Sequence, residues 1–194
     1  MAKVINELSL TKELIKIPSV TPVDGGAIAL VAKHLKSIGF QCKILNFADK
    51  NTPTIKNLYA RFGKSSPNFC FAGHTDVVPA GNLKSWDVGP FSGAVKKGKI
   101  YGRGTSDMKG GIACFISAVS EFVKNNKKFK GSISLIITGD EEGVAINGTK
   151  KVVHYLKKKK EKIDFCLVGE PSNRKVMGQM MKIGRRGSIT AYLT

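Results

Sequence analysis

Acidic residues are scarce in this sequence of 194 residues. Aspartate and glutamate number 14 against 32 lysines and arginines, which gives a formal net charge of +18. Such a charge alone would favour a nucleic acid or an anionic membrane as partner. The lysines are nevertheless scattered over positions that we expect at the surface, and the few aromatic residues are not interleaved with arginines as a base-stacking surface requires. We therefore expect neither a nucleic acid nor a membrane as partner.

Long hydrophobic runs and paired cysteines are also missing. No stretch reaches the ~18 apolar residues of a membrane span, and the first residues lack the apolar run of a signal peptide. The cysteines are far apart and form no C-x-x-C pair, and all but the first lie inside apolar segments. They are Cys42, Cys70, Cys114 and Cys166. This pattern predicts reduced thiols in the core of a cytoplasmic protein.

Helical and strand-like hydrophobic periods follow one another along the chain. They predict helices over residues 4–17, 28–38, 112–123 and 148–159, and strands over residues 40–47, 57–62, 68–73, 131–138 and 164–168. A hairpin is expected over residues 94–101, with its turn at Lys97-Gly98. A chain of this length can bury a large core without disulfides, and the pattern predicts one α/β domain.

Histidine and acidic residues follow three of the predicted strands. The groups are His74 with Asp76, Asp140 with Glu141 and Glu142, and Glu170. Because the carboxyl ends of strands at one edge of a sheet converge, we expect these side chains to meet. Asp107 should join them from a glycine-rich helix entrance, where glycine allows close backbone packing. One site would then hold 6 of the 14 acids of the chain.

Such crowding of acids in a basic protein indicates a bound cation. Carboxylates and imidazole without cysteine suit a hard or borderline metal, and zinc accepts this mixture in catalytic sites that keep an open position. Six acids exceed the needs of one tetrahedral ion, so two ions that share a carboxylate are expected. Of the adjacent glutamates, one can bind metal while its neighbour stays free as a base. The alternative is a set of structural acids without a metal.

Four motifs, in order, resemble the co-catalytic zinc aminoacylase and carboxypeptidase family. They are Gly73-His74-Thr75-Asp76-Val77-Val78-Pro79, Gly102-Arg103-Gly104-Thr105-Ser106-Asp107-Met108-Lys109-Gly110, Gly139-Asp140-Glu141-Glu142-Gly143 and Gly169-Glu170-Pro171. Two further segments are similar to the branch that acts on N-succinyl-LL-2,6-diaminopimelate. They are Pro18-Ser19-Val20-Thr21-Pro22 and Gly184-Arg185-Arg186-Gly187-Ser188. The resemblance covers essentially the whole chain. It implies a cytoplasmic, homodimeric hydrolase of lysine and diaminopimelate biosynthesis that releases succinate and LL-2,6-diaminopimelate.

The resemblance also implies a role for each matching residue. His74 and Glu170 would hold one zinc or cobalt ion, Glu142 would hold a second, and Asp107 would bridge the two. Asp76 would orient His74. Glu141 would be the general base that takes a proton from the attacking water and later passes it to the leaving amine. In the family the peptide that follows the bridging aspartate is cis, which implies a cis peptide between Asp107 and Met108 here.

Arg185 and Ser188 match residues that contact the succinyl carboxylate, for which a guanidinium is well suited. The alternative for them is an exposed turn leading to the next domain. The resemblance implies a zinc-exopeptidase-like catalytic domain over residues 1–178, incomplete, with a central mixed sheet between helices in three layers. Residues 179–194 would begin a dimerisation (lid) domain.

Relatives supply a further histidine ligand after that domain, whereas His34 and His154 of this chain lie outside any ligand motif. The chain by itself is therefore expected to lack one ligand of the second metal and to be inactive. It would be completed by a second polypeptide or come from a broken gene. Two other functions stay open. One is another deacylase of the family, such as one that acts on acetylornithine. The other is an inactive metal-binding or nucleic-acid-binding fragment.

Overall fold

Helices cover both faces of a five-stranded mixed sheet in this protein. The computed structural model describes residues 4–173 and 175–184. The helices are α1 (Glu7–Ile15), α2 (Ala27–Ser37), α3 (Gly110–Asn125) and α4 (Thr149–Lys158). The strands of the main sheet are β1 (Gln41–Phe47), β2 (Ile55–Phe62), β3 (Asn68–His74), β6 (Ser132–Thr138) and β7 (Phe165–Val168). A separate hairpin pairs β4 (Ala94–Lys96) with β5 (Lys99–Tyr101).

The predicted α/β fold is confirmed, and the predicted helices and strands are present with shifted ends. Asn6 explains the later start of α1, because its side-chain oxygen accepts the N–H of Ser9 at 2.9 Å and caps the helix there. Ile55 pairs with Phe47, so β2 begins two residues before the predicted position. The hairpin turns at Lys97 and Gly98 as predicted, and both have positive φ.

The sheet has the order β1-β2-β6-β3-β7. β1, β2 and β6 pair antiparallel in succession, whereas β6, β3 and β7 are parallel. Alternation along each strand sends side chains to two apolar layers. On one face Phe71 and Leu135 pack with residues of α1, α2 and α3, and on the other Cys70 and Ile136 pack with residues of α4. The three predicted layers are therefore present.

The prediction that the cysteines are core thiols is wrong for two of them. Cys70 is buried, but Cys114 and Cys166 are exposed, and Cys42 is half-buried. Cys166 lies on β7, which ends the described sheet and is exposed along its whole length. Cys114 lies on α3 outside the set of residues that the helix buries. An apolar run in the sequence therefore does not distinguish an edge strand from a covered one. All four cysteines are free.

Within the described residues, no helix combines the length and the apolar character needed to cross a membrane.

Gly63 is predicted to be the less replaceable of two glycines with left-handed backbones. Its φ is +80°, and a Cβ there would collide with the carbonyl oxygen of Gly131, whereas Gly81 has a φ of +75° and open space around it. Gly81→Ala should cost about 1–2 kcal/mol of unfolding free energy from φ alone. Gly63→Ala should cost about 1–3 kcal/mol more because of the collision. Urea unfolding measures both, and equal losses would contradict the prediction.

Candidate metal centre

The strand order brings the predicted site residues to one edge of the sheet. His74 ends β3, which lies between the parallel strands β6 and β7. Its register partner in β6 is Thr138, the last residue of that strand, and the loop with Glu141 and Glu142 follows. Glu170 follows β7 by two residues. The convergence at the carboxyl ends of three neighbouring strands is therefore present.

Three carboxylates lie near Nε2 of the His74 imidazole. Its Nε2 lies 3.1 Å from Asp107 Oδ1, 3.5 Å from Glu170 Oε1 and 4.0 Å from Glu141 Oε2. His74 is buried, whereas the side chains of Asp107 and Glu141 are about half exposed, at 50% and 48%. The imidazole thus forms the floor of the site, and Asp107 and Glu141 form its open rim.

Two groups of possible metal ligands share His74. One comprises His74, Asp107 and Glu170, and the other comprises His74, Glu141 and Glu142. Within each group the ligand atoms lie within 4.8 Å of one another. Oxygen and imidazole donors of this kind suit divalent zinc or cobalt, and the described ligands include no cysteine. The residues present therefore fit divalent cations.

Asp76 contacts His74 mainly through its backbone. Nδ1 of the imidazole donates to the carbonyl oxygen of Asp76 at 2.9 Å, and the nearer carboxylate oxygen is 3.5 Å away. This hydrogen bond leaves the Nε2 lone pair facing the acids, as a metal ligand requires. The carboxylate of Asp76 accepts the backbone N–H groups of Glu141, at 3.0 Å, and Glu142, at 2.9 Å. Asp76 thereby connects the loops after β3 and β6.

The carboxylate of Asp140 does not join the predicted cluster. Its two oxygens accept the backbone N–H groups of Ala145 and Asn147, each at 3.1 Å. Asp140 is buried and closes the loop that carries the two glutamates. Its expected place among the converging acids is therefore corrected to a structural role in that loop.

Asp107 lies in the turn Thr105–Lys109, which leads into α3. The peptide between Asp107 and Met108 is cis, as the resemblance implies. Gly104 begins this turn with a φ of +82°, and a Cβ there would collide with Val77 Cγ1. Glycine is therefore required for the close contact between this turn and the loop after β3.

Lys109 is a buried cation that the sequence pattern did not point to. Its Nζ donates to the carbonyl oxygens of Leu14, at 3.0 Å, and Ile17, at 2.8 Å. Burial lowers the pKa of Lys109 to about 8, although the charges of Asp76 and Asp24 act to raise it. The one feature of the sequence that could have indicated its burial is its position next to Met108, at the start of an apolar helix.

The acids perturb the titration of the site. Burial acts to lower the pKa of His74, but the hydrogen bonds and charge of Asp76 and the charge of Glu170 outweigh it and raise that pKa to about 9. Burial raises the pKa of the Glu142 carboxyl, and the neighbouring charge of Asp107 raises it further. Negative charge contributes to both shifts, and a bound cation would neutralise it.

Metal affinity is expected to fall steeply as the pH decreases. A metal must displace the proton from His74, whose pKa of about 9 lies above the usual value. Between pH 9 and pH 6 the apparent affinity for cobalt should therefore fall about tenfold per pH unit from this proton alone. Titration of the metal-free protein with cobalt at several pH values measures the slope. An affinity that stays constant between pH 7 and pH 9 would contradict the prediction.

Arg185 and Ser188 lie outside the described residues. Their expected contact with a substrate carboxylate therefore stays a prediction.

Comparison with known proteins gives related sequences over almost the whole chain. The model of peptidase family M20/M25/M40 matches residues 70–184. A succinyl-diaminopimelate desuccinylase of Pelagibacter ubique (strain HTCC1062) is 64% identical over 97% of this chain and 49% of that protein. The protein of the same name from Rhodospirillum centenum (strain ATCC 51521 / SW) is 54% identical over 96% of this chain and 48% of that protein. The chain thus spans about half the length of these curated relatives.

Solved structures share the fold. Human carnosine dipeptidase 1 superposes with a TM-score of 0.73 at 25% identity, over 84% of this chain and 37% of that chain. Sso-CP2 from Sulfolobus solfataricus, named as an M20 family metallo-carboxypeptidase, gives a TM-score of 0.71 at 22% identity over the same shares.

Proposed function

The chain belongs to peptidase family M20/M25/M40, and from this premise we propose that it is part of a metal-dependent amidohydrolase acting on N-succinyl-LL-2,6-diaminopimelate. The products would be succinate and LL-2,6-diaminopimelate. Two groups of possible metal ligands meet at one buried histidine, His74, and this arrangement supports the reaction type. The names of the relatives at 64% and 54% identity support the substrate.

The metal ligands are assigned from the resemblance, and the contacts around His74 support the first set. His74, Asp107 and Glu170 would hold one cation, while Glu142 and the shared Asp107 would contribute to a second, with zinc or cobalt as the metals. When bound, divalent cations polarise the amide carbonyl and lower the pKa of the attacking water. Asp76 keeps Nε2 of His74 available by accepting the Nδ1 hydrogen.

Glu141 is the proposed general base. Its side chain is about half exposed on the rim, and Asp76 holds its backbone N–H. From that position its carboxylate would take a proton from water as the water oxygen bonds to the amide carbon. It would return the proton to the amine nitrogen as the C–N bond breaks. The water oxygen stays on the acid and the proton on the amine, and both products then leave.

The domain limits and the assembly belong to the same proposal. Residues 1–178 would be catalytic, and residues 179–194, most of which lie outside the described residues, would begin a dimerisation domain. The cytoplasmic homodimer implied by the resemblance also stays a prediction.

A comparison of two substrates tests the function. The completed enzyme, in which the second metal has its remaining ligand, should when loaded with zinc or cobalt hydrolyse N-succinyl-LL-2,6-diaminopimelate with a kcat/KM at least about 10²-fold above that for N-acetylornithine. The acetyl group lacks the terminal carboxylate, and the loss of one charged contact supports such a ratio. Faster hydrolysis of N-acetylornithine would transfer the proposal to that substrate. No hydrolysis of either compound by the metal-loaded protein would overturn it.

A further inference from the structure

The chain from the end of α1 to Thr21 fastens the loop that follows β3. Ser19 is buried, and its hydroxyl donates to the carbonyl oxygen of Thr75 at 2.6 Å. The N–H of Val77 donates to the carbonyl oxygen of Ser19 at 2.9 Å. The N–H of Thr21 donates to the carbonyl oxygen of Val77 at 3.1 Å. These bonds hold the backbone on both sides of Asp76.

The same stretch fastens the turn that carries Asp107. The Lys109 ammonium donates to the carbonyl oxygens of Leu14, in the last turn of α1, and Ile17, just after the helix. The backbone N–H of Lys109 donates to the carbonyl oxygen of Gly104 at 2.8 Å. Lys109 is therefore held by its backbone and by its side chain. Asp107 lies in the sequence between Gly104 and Lys109, the two residues that the backbone bond joins.

Stability alone is a weak reason for this arrangement. A fully buried ammonium loses its hydration, and the charges of Asp76 and Asp24 offset this loss only in part. In the described part of the chain Lys109 forms no ion pair. What the contacts do provide is a common anchor for two loops. The distance of 3.1 Å between Asp107 Oδ1 and His74 Nε2 spans those two loops.

We propose that Lys109, assisted by Ser19, is a positioning residue that sets Asp107 against His74 before metal binds. The inference rests on the proposed function, because it concerns the ligands assigned there. The segment from the end of α1 to Thr21 holds both the loop after β3 and the turn that carries Asp107. Asp76 extends the connection to a third loop through the N–H groups of Glu141 and Glu142. Ligands held in place in this way pay less ordering entropy when the cation arrives.

Cobalt binding to the metal-free form of the completed enzyme tests the proposal without any measurement of activity. Lys109→Met keeps the length of the side chain and removes the donors, and Ser19→Ala removes one hydroxyl. Both variants should bind cobalt more weakly, by up to about the 10–100-fold typical when a direct partner of a ligand is lost, because Lys109 and Ser19 act on the ligands through the backbone. Both should also alter the visible absorption spectrum of the bound cobalt. Leu156→Ala is the control, because Leu156 is a buried core residue in the layer of α4. It should lower stability and leave the affinity and the spectrum unchanged.

The results separate this inference from the proposed function. If the wild type binds cobalt and both variants bind it with unchanged affinity and spectrum, the positioning role is wrong and the metal site stands. If Lys109→Met does not fold, unchanged cobalt binding by Ser19→Ala overturns the proposal by itself. A wild-type protein that binds no cobalt would overturn the proposed function together with this inference.

Discussion

Glu141→Gln is expected to reduce kcat by about 10²–10⁴-fold while the metal content stays close to that of the wild type. The amide has nearly the same shape as the carboxylate but cannot accept the proton of the attacking water at neutral pH. The Glu141 side chain lies on the exposed rim, and its Oε2 is 4.0 Å from His74 Nε2. Steady-state kinetics on metal-loaded protein, together with elemental analysis of the same samples, provide the measurement.

Glu142→Gln is the matched control, because the two glutamates are adjacent and both backbone N–H groups donate to Asp76. Glu142 is less exposed than Glu141, and the pKa of its carboxyl is raised by burial and by the charge of Asp107. We therefore expect this variant to lose about one cation and its activity together. Loss of metal from Glu141→Gln with retention in Glu142→Gln would exchange the two roles. The second ligand group contains both residues, so the experiment decides between them.

The position of the site could be predicted from sequence because three strands are each followed directly by candidate ligands. Each of β3, β6 and β7 is an apolar segment that ends next to histidine or acid, and parallel neighbours bring such ends together. Periodicity therefore gave both the element types and the edge at which the ligands meet. Helix ends were less predictable, since a single capping contact such as that of Asn6 decides them.

The direction of each carboxylate could not be predicted in this way. Asp76, Asp140 and Glu142 all follow strands, but only the folded loops decide which of them accepts backbone N–H groups. Asp140 turns to its own loop because the N–H groups of Ala145 and Asn147 come within 3.1 Å of it. Burial of Lys109 is a similar case, because its partners are carbonyls 95 and 92 residues away in the sequence. Contacts of this range leave no periodic trace.

Asp107→Ala is expected to release both cations together. Asp107 Oδ1 lies 3.1 Å from His74 Nε2, in the first ligand group, and the charge of Asp107 also raises the pKa of Glu142, in the second. The resemblance makes Asp107 the ligand that both cations share, so its removal would weaken the binding of both. The loss of affinity should exceed the roughly 10–100-fold that follows removal of an outer partner. Elemental analysis after dialysis against metal-free buffer measures the ions that remain per protein.

Glu170→Ala is the control for this bridge. Both Glu170 and Asp107 belong to the first ligand group, but the resemblance assigns Glu170 to one cation and Asp107 to both. It should release about one ion and leave the other at near its wild-type occupancy. The contrast between the variants is what identifies a shared ligand, since any ligand loss lowers affinity somewhere. If Asp107→Ala keeps one ion at full occupancy, Asp107 serves a single cation. The second group, with His74, Glu141 and Glu142, would then have to hold its metal without Asp107.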